Sequence, residues 1–121
     1  MDNLTAGDLT IQVVPREGGT LELLWTGKSN ARNPTQALQP FFALALTEAA
    51  ERKLSLELRF EKLDHFNSST ITAIIQLIQE ARSRALRVSI VYDSGVKWQK
   101  LSFEALRVFA KGDGLLELRA I

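Results

Sequence analysis

Residues 54–63 alternate, with Leu54, Leu56, Leu58 and Phe60 set against Ser55, Glu57, Arg59 and Glu61. A period of two is the mark of a strand with one buried and one wet face. The six residues His65-Phe66-Asn67-Ser68-Ser69-Thr70 lead out of this run, and the period then changes. Ile71, Ile74, Ile75, Ile78 and Ala81 recur at three- and four-residue spacing, with Thr72, Gln76, Gln79, Glu80 and Arg82 on the wet side, so residues 71–85 read as a helix. A strand that feeds a helix through so short a junction points to helices layered on a sheet.

The remaining elements extend that pattern. Residues 9–15 and 21–26 alternate and are joined by a turn at Glu17-Gly18-Gly19, which predicts an opening hairpin. Residues 27–32 read as a polar connection. Asn33-Pro34 looks like a helix start, Asn capping and Pro in the first helical position. The helix is expected over 34–52, with Leu38, Phe41, Phe42, Ala45, Leu46 and Ala49 inward. Pro40 predicts a kink, or a start near Gln39.

Leu86, Val88, Ile90 and Tyr92 predict a further strand, and Asp93-Ser94-Gly95 a turn. A third helix is expected over 97–110, with Leu101, Ala105, Leu106 and Phe109 inward, and a last strand over 115–121. The expected order is β-β-α-β-α-β-α-β in a single domain over residues 1–121. Single helices between strands favour right-handed parallel crossovers. Polar alternates Thr10, Gln12, Glu22, Glu57, Arg59, Arg87 and Ser89 predict a mixed sheet with helices mainly on one face.

Composition removes several classes of function. The chain of 121 residues holds 15 basic and 14 acidic residues, a formal net charge of +1, with no run of Lys or Arg longer than a pair. General nucleic-acid or membrane-surface binding needs a clustered basic field. No cysteine and a single histidine leave no thiolate chemistry and no multi-histidine metal site, so no cofactor is expected. The start, Met1-Asp2-Asn3-Leu4-Thr5, lacks the pattern of a signal peptide. No apolar stretch approaches the ~18–20 residues of a membrane span. A soluble, cytoplasmic domain is expected.

Phosphate-loop and dinucleotide glycine patterns are absent. A Ser-His-acid set could be written from Ser68, His65 and Asp64, without the glycines of a nucleophile elbow around it. Asn67 is a strong helix N-cap. A cap accounts for Asn67 and one hydroxyl but does not require three in succession. Backbone N–H groups on a first helical turn are unpaired and the dipole there favours negative charge, so a phosphate is well placed.

The strand, the helix-start hydroxyls and the element order resemble the STAS domain of SpoIIAA-like anti-sigma-factor antagonists. In those, an apolar strand ends in Asp-Ser-Ser-Gly before an apolar helix, and the first Ser is phosphorylated by a partner kinase and dephosphorylated by a PP2C-type phosphatase. A closer resemblance is to the SiaC-type regulatory phosphoproteins, over most of the chain, from about residue 21 to residue 109. It rests on Gly27-Lys28-Ser29-Asn30-Ala31-Arg32-Asn33, Gln39-Pro40 and His65-Phe66-Asn67-Ser68-Ser69. His65 stands where that family has Tyr, and its acidic loop after the fourth strand is reduced to Asp93.

The resemblance implies a non-catalytic bacterial signalling module whose partner binding is switched by phosphorylation. The modified residue would be Ser68, with Ser69 and Thr70 as fallbacks. Asn67, Asp64, His65, Lys28 and Arg32 would lie at or near the partner-binding site. The implied partners are a GHKL-type kinase, a PP2C-type phosphatase, and a diguanylate cyclase or anti-sigma factor. The alternatives are a STAS-like scaffold that never carries phosphate and a small serine hydrolase.

Overall fold

The computed structural model describes residues 1–16 and 18–121, with the backbone alone at Pro15 and Arg16. Of the predicted turn 17–19, Glu17 lies outside the described residues, while Gly18 and Gly19 turn with positive φ. The strands are β1 (Leu4–Ala6), β2 (Leu9–Arg16), β3 (Thr20–Ser29), β4 (Ser55–Arg59), β5 (Leu63–Phe66), β6 (Val88–Tyr92) and β7 (Leu116–Ala120). The helices are α1 (Thr35–Arg52), α2 (Ser68–Ser83) and α3 (Lys97–Glu104), the last continued by a 3-10 turn over Ala105–Phe109.

One mixed seven-stranded sheet runs β1-β2-β3-β4-β6-β7, with β5 also paired to β3. β1, β2 and β3 pair antiparallel; β3–β4, β3–β5, β4–β6 and β6–β7 pair parallel. The expected mixed α/β architecture therefore holds.

Alternate strand positions supply the core. Leu21, Leu23, Trp25, Leu56, Leu58, Phe60, Val88, Ile90 and Tyr92 are buried with Phe42 and Leu46 of α1, Ile74 and Leu77 of α2 and Phe103 of α3. An aromatic chain threads this layer. Trp25 lies 4.8 Å from Phe60 and 6.0 Å from Phe42, and Phe60 stacks on Phe103 at 4.6 Å. The opposite alternates carry charge: Arg59 contacts Glu22 at 3.2 Å, Glu57 at 3.6 Å and Glu61 at 2.8 Å, and Arg119 pairs with Glu57.

Several expectations need correction. The alternating run 54–63 is two strands, because Leu63 N–H donates to the Phe60 carbonyl at 2.9 Å and closes a turn. After that turn the chain re-enters the sheet against the far half of β3. Residues 27–29, read as connection, are the end of β3 and the partner of β5. Pro34, not Asn33, occupies the α1 cap position, with no side-chain cap bond. α1 runs through Pro40. Pro40 is exposed and so is Gln36, so water can reach the carbonyl that Pro40 leaves without a donor.

In α3 and the 3-10 turn after it, Leu106 is buried as expected, but Leu101 is 64% exposed and Ala105 is exposed, and Gln99 and Phe103 face the core instead. Buried Gln99 explains the rotation. Its amide donates to the carbonyls of Phe60 at 2.7 Å and Leu63 at 3.1 Å, and accepts from Asp93 N–H at 2.8 Å. One side chain thus ties the β4–β5 turn to the end of β6.

Candidate functional site: the start of the second helix

The junction is built from β3 outward. Lys28 and Ser29 pair in register with His65 and Phe66, and Asn67 N–H extends the ladder by donating to the Ser29 carbonyl at 3.0 Å. The register jumps between Gly27–Leu63 and Lys28–His65, which leaves Asp64 as the extra residue of a bulge. Asn67 then leaves the strand with φ −95° and ψ 172° and α2 begins.

Asn67 uses both ends of its amide. Its Oδ1 accepts from Thr70 N–H at 2.9 Å and from the Thr70 hydroxyl at 2.8 Å. Its Nδ2 donates to the Ala31 carbonyl at 2.8 Å, which holds the loop before α1 against the start of α2. Thr70 is fully buried, and its Oγ1 lies 2.7 Å from the Ser29 hydroxyl. A hydroxyl carries one proton. With that of Thr70 directed to Asn67, the Ser29 hydroxyl is the donor between them.

The three successive hydroxyls therefore separate. Thr70 is part of the cap and is enclosed. Ser68 and Ser69 are exposed, and neither hydroxyl takes part in a hydrogen bond among the described residues. A helix start gives the amides of Ser68 and Ser69 no carbonyl within the helix to bond. The first turn of α2 carries no acidic residue, so the positive end of its dipole is not offset there.

Asp64, His65, Lys28 and Arg32 are all exposed around this point. The loop bearing Arg32 is the one that Asn67 tethers. His65 lies opposite Lys28, with its ring centroid 6.5 Å from that of Trp98. The Ser-His-acid relay is not formed: among the described residues no hydrogen bond joins Ser68 to His65 or His65 to Asp64. Nor do the described residues bring together three or more side chains able to hold a metal ion. Among the described residues no helix is long and apolar enough to cross a membrane. An open groove of about 450 Å³ lies between α1 and α2, lined by Phe42, Leu46, Leu77 and Gln76 among others.

Sequence reasoning missed Ser29, Gln99 and Trp98. Ser29 sat in a stretch read as loop, Gln99 resembled a solvent-facing helix residue, and the ring contacts of Trp98 cross between elements distant in sequence.

No family model and no curated protein matches the chain. Solved structures do. The anti-sigma factor antagonist SpoIIAA in its unphosphorylated form matches at TM-score 0.50 and 17% identity, covering 67% of this chain and 71% of that one. SpoIIAA of Bacillus, a cell fate determinant, matches in its phosphorylated form at TM-score 0.57 and 14% identity, over 90% of each chain. An uncharacterized protein of the DUF3478 family with a SpoIIAA-like fold, from Shewanella loihica, matches at TM-score 0.59 and 13% identity. That match covers 98% of this chain and 90% of the other. The fold is SpoIIAA-like, that is, STAS-like.

Proposed function

We propose that this chain is a non-catalytic, cytoplasmic signalling module of the STAS type, nearest in kind to the SiaC-type phosphoproteins, and that phosphorylation of Ser68 switches its binding to a partner. The observation that carries this reading is the division of labour at the start of α2. Asn67 and Thr70 complete the cap between them, so the fold does not need the exposed Ser68 hydroxyl. The existence of SpoIIAA structures in both phosphorylated and unphosphorylated forms adds support to it.

The switch would act on binding and leave the fold intact. A phosphate adds about −1.5 to −2 charges near neutral pH. At a helix N-terminus that charge is tolerated, with a gain of about 0.3–1 kcal/mol. A partner seated over Ser68 would have to enclose it, at a cost of several kcal/mol when unpaired, on the order of hundredfold or more in affinity. The writer would be a GHKL-type kinase, the eraser a PP2C-type phosphatase, and the output partner an anti-sigma factor or a diguanylate cyclase.

The test is intact-mass spectrometry after incubation with the cognate kinase and ATP. One added phosphate, lost in Ser68→Ala, is expected. A phosphate that persists in Ser68→Ala moves the site to Ser69, since Thr70 is enclosed. No added phosphate leaves a scaffold that is never modified and removes the proposal.

A further inference from the structure

We infer that the surface around Ser68 is built to receive an acidic segment of a partner protein; this rests on the phosphorylation reading only for how the surface is turned off. The net charge of +1 conceals a segregation of charge. Five exposed cations lie at the C-terminal ends of the parallel strands: Lys28 in the last residues of β3, and Arg32, Lys62, Lys97 and Lys100 beyond the ends of β3, β4 and β6. Four carboxylates share that edge: Asp8, Asp64, Asp93, which accepts from Gly95 N–H at 2.8 Å, and Glu104, one turn along α3 from Lys100 and hydrogen-bonded by the Tyr92 hydroxyl. On the helix-free face acidic residues are in slight excess, with Glu22, Glu57, Glu61 and Glu117 around Arg59, Arg87 and Arg119.

Three independent links hold the basic edge in place. Lys28 is fixed opposite His65 by the β3–β5 register, and Asn67 holds the loop of Arg32 through Ala31. Gln99 anchors the first turn of α3, which carries Lys97 and Lys100 on either side of half-buried Trp98. The rings of Trp98, His65 and Phe66 lie in contact range and add an apolar element between the cations. Such a surface complements carboxylates spaced along a protein better than the dense charge of a nucleic acid, because Asp8 and Asp64 interrupt it. A phosphate on Ser68 would place its charge inside this field, cancelling the positive excess and repelling the carboxylates that the surface attracts.

The test is a heteronuclear NMR titration of the unmodified chain with poly-L-glutamate, with duplex DNA at equal charge concentration as the comparison. Shifts are expected at Lys28, Arg32, His65, the Trp98 indole and Lys100, and they should fade as salt is raised. Lys28→Glu combined with Lys100→Glu is expected to weaken the apparent affinity roughly tenfold, by summed charge effects at short range. Glu117→Gln on the opposite face should leave it unchanged.

Ser68→Ala is expected to bind as the unmodified chain does, so a failure of the phosphorylation reading does not register in this titration. Shifts spread over the helix-free face, tighter binding of DNA than of poly-L-glutamate, or self-association of the chain at this edge would each overturn the inference.

Discussion

The hydroxyls of Thr70 and Ser29 lie 2.7 Å apart across 41 residues of chain and bind the start of α2 to the end of β3. Asn67 completes the arrangement by accepting from Thr70 and donating to Ala31. The first turn of α2, the loop before α1 and two strands are therefore one hydrogen-bonded unit. Ser68 stands on its surface.

Asn67→Ala removes the cap acceptor and the tether to Ala31 together. Cap loss alone typically costs about 0.5–2 kcal/mol, and the freed Thr70 hydroxyl adds to it. A loss of about 2 kcal/mol in urea unfolding is expected. Asn67→Asp keeps the acceptor and loses only the donor, and should fall between Asn67→Ala and the unsubstituted chain.

Thr70→Val preserves shape and removes a hydroxyl that lies in a closed site. Buried Ser29 then loses its hydroxyl partner, while Asn67 Oδ1 keeps only the Thr70 N–H. Destabilisation of about 1–3 kcal/mol follows from leaving buried polar groups unmet. Thr70→Ser retains the hydroxyl and should recover most of that loss. Equal effects from the two substitutions would show that the hydroxyl is not what matters.

Gly27 has φ +83°, and a Cβ there would collide with the carbonyl oxygen of Asp8. The same carbonyl accepts from Lys28 N–H at 3.0 Å, so it is not free to retreat. Gly27→Ala is expected to cost about 2–4 kcal/mol, combining strain at positive φ with overpacking. Gly7→Ala meets open space, and its cost should be limited to about 1 kcal/mol from φ alone. Equilibrium unfolding of the two variants side by side checks the difference.

Burial raises the pKa of Tyr92 above the ordinary phenolic value, and the neighbouring Glu104 carboxylate, 3.2 Å from its hydroxyl, pushes the same way. Near neutral pH both folded and unfolded states keep the phenolic proton, so this group gives no slope there. Above about pH 10 the unfolded state loses the proton first, and stability falls as pH rises towards the folded-state pKa. Tyr92→Phe should flatten the alkaline limb of a stability-against-pH curve while leaving its neutral region without added pH dependence.

The strand-to-helix change of period at residues 54–85 was readable because period two and period 3.6 leave different marks, and Asn67 is the cap its residue type predicted. Other features depend on partners distant in sequence. Three-residue β1 is too short to display alternation. The break after Phe60 is invisible in a run that stays amphipathic through the turn, since the apolar positions of both strands point to the same core. Asn33 is a good capping residue that the chain does not use as one. In α3, apolar spacing suggested Leu101, but a single buried amide at Gln99 set which face turned inward. At the site, Ser68, Ser69 and Thr70 form one run of hydroxyls in the sequence, and the bonds of Thr70 to Ser29 and Asn67 distinguish the enclosed hydroxyl from the exposed ones.

The most direct measurement titrates the output partner with two forms of this chain, one carrying Ser68 and one with phosphoserine installed at that position. The account predicts matching circular dichroism and melting behaviour for both forms, with affinity for the partner lower in the phosphoserine form by about a hundredfold or more. Equal affinity for the two forms, with both folded, would contradict it.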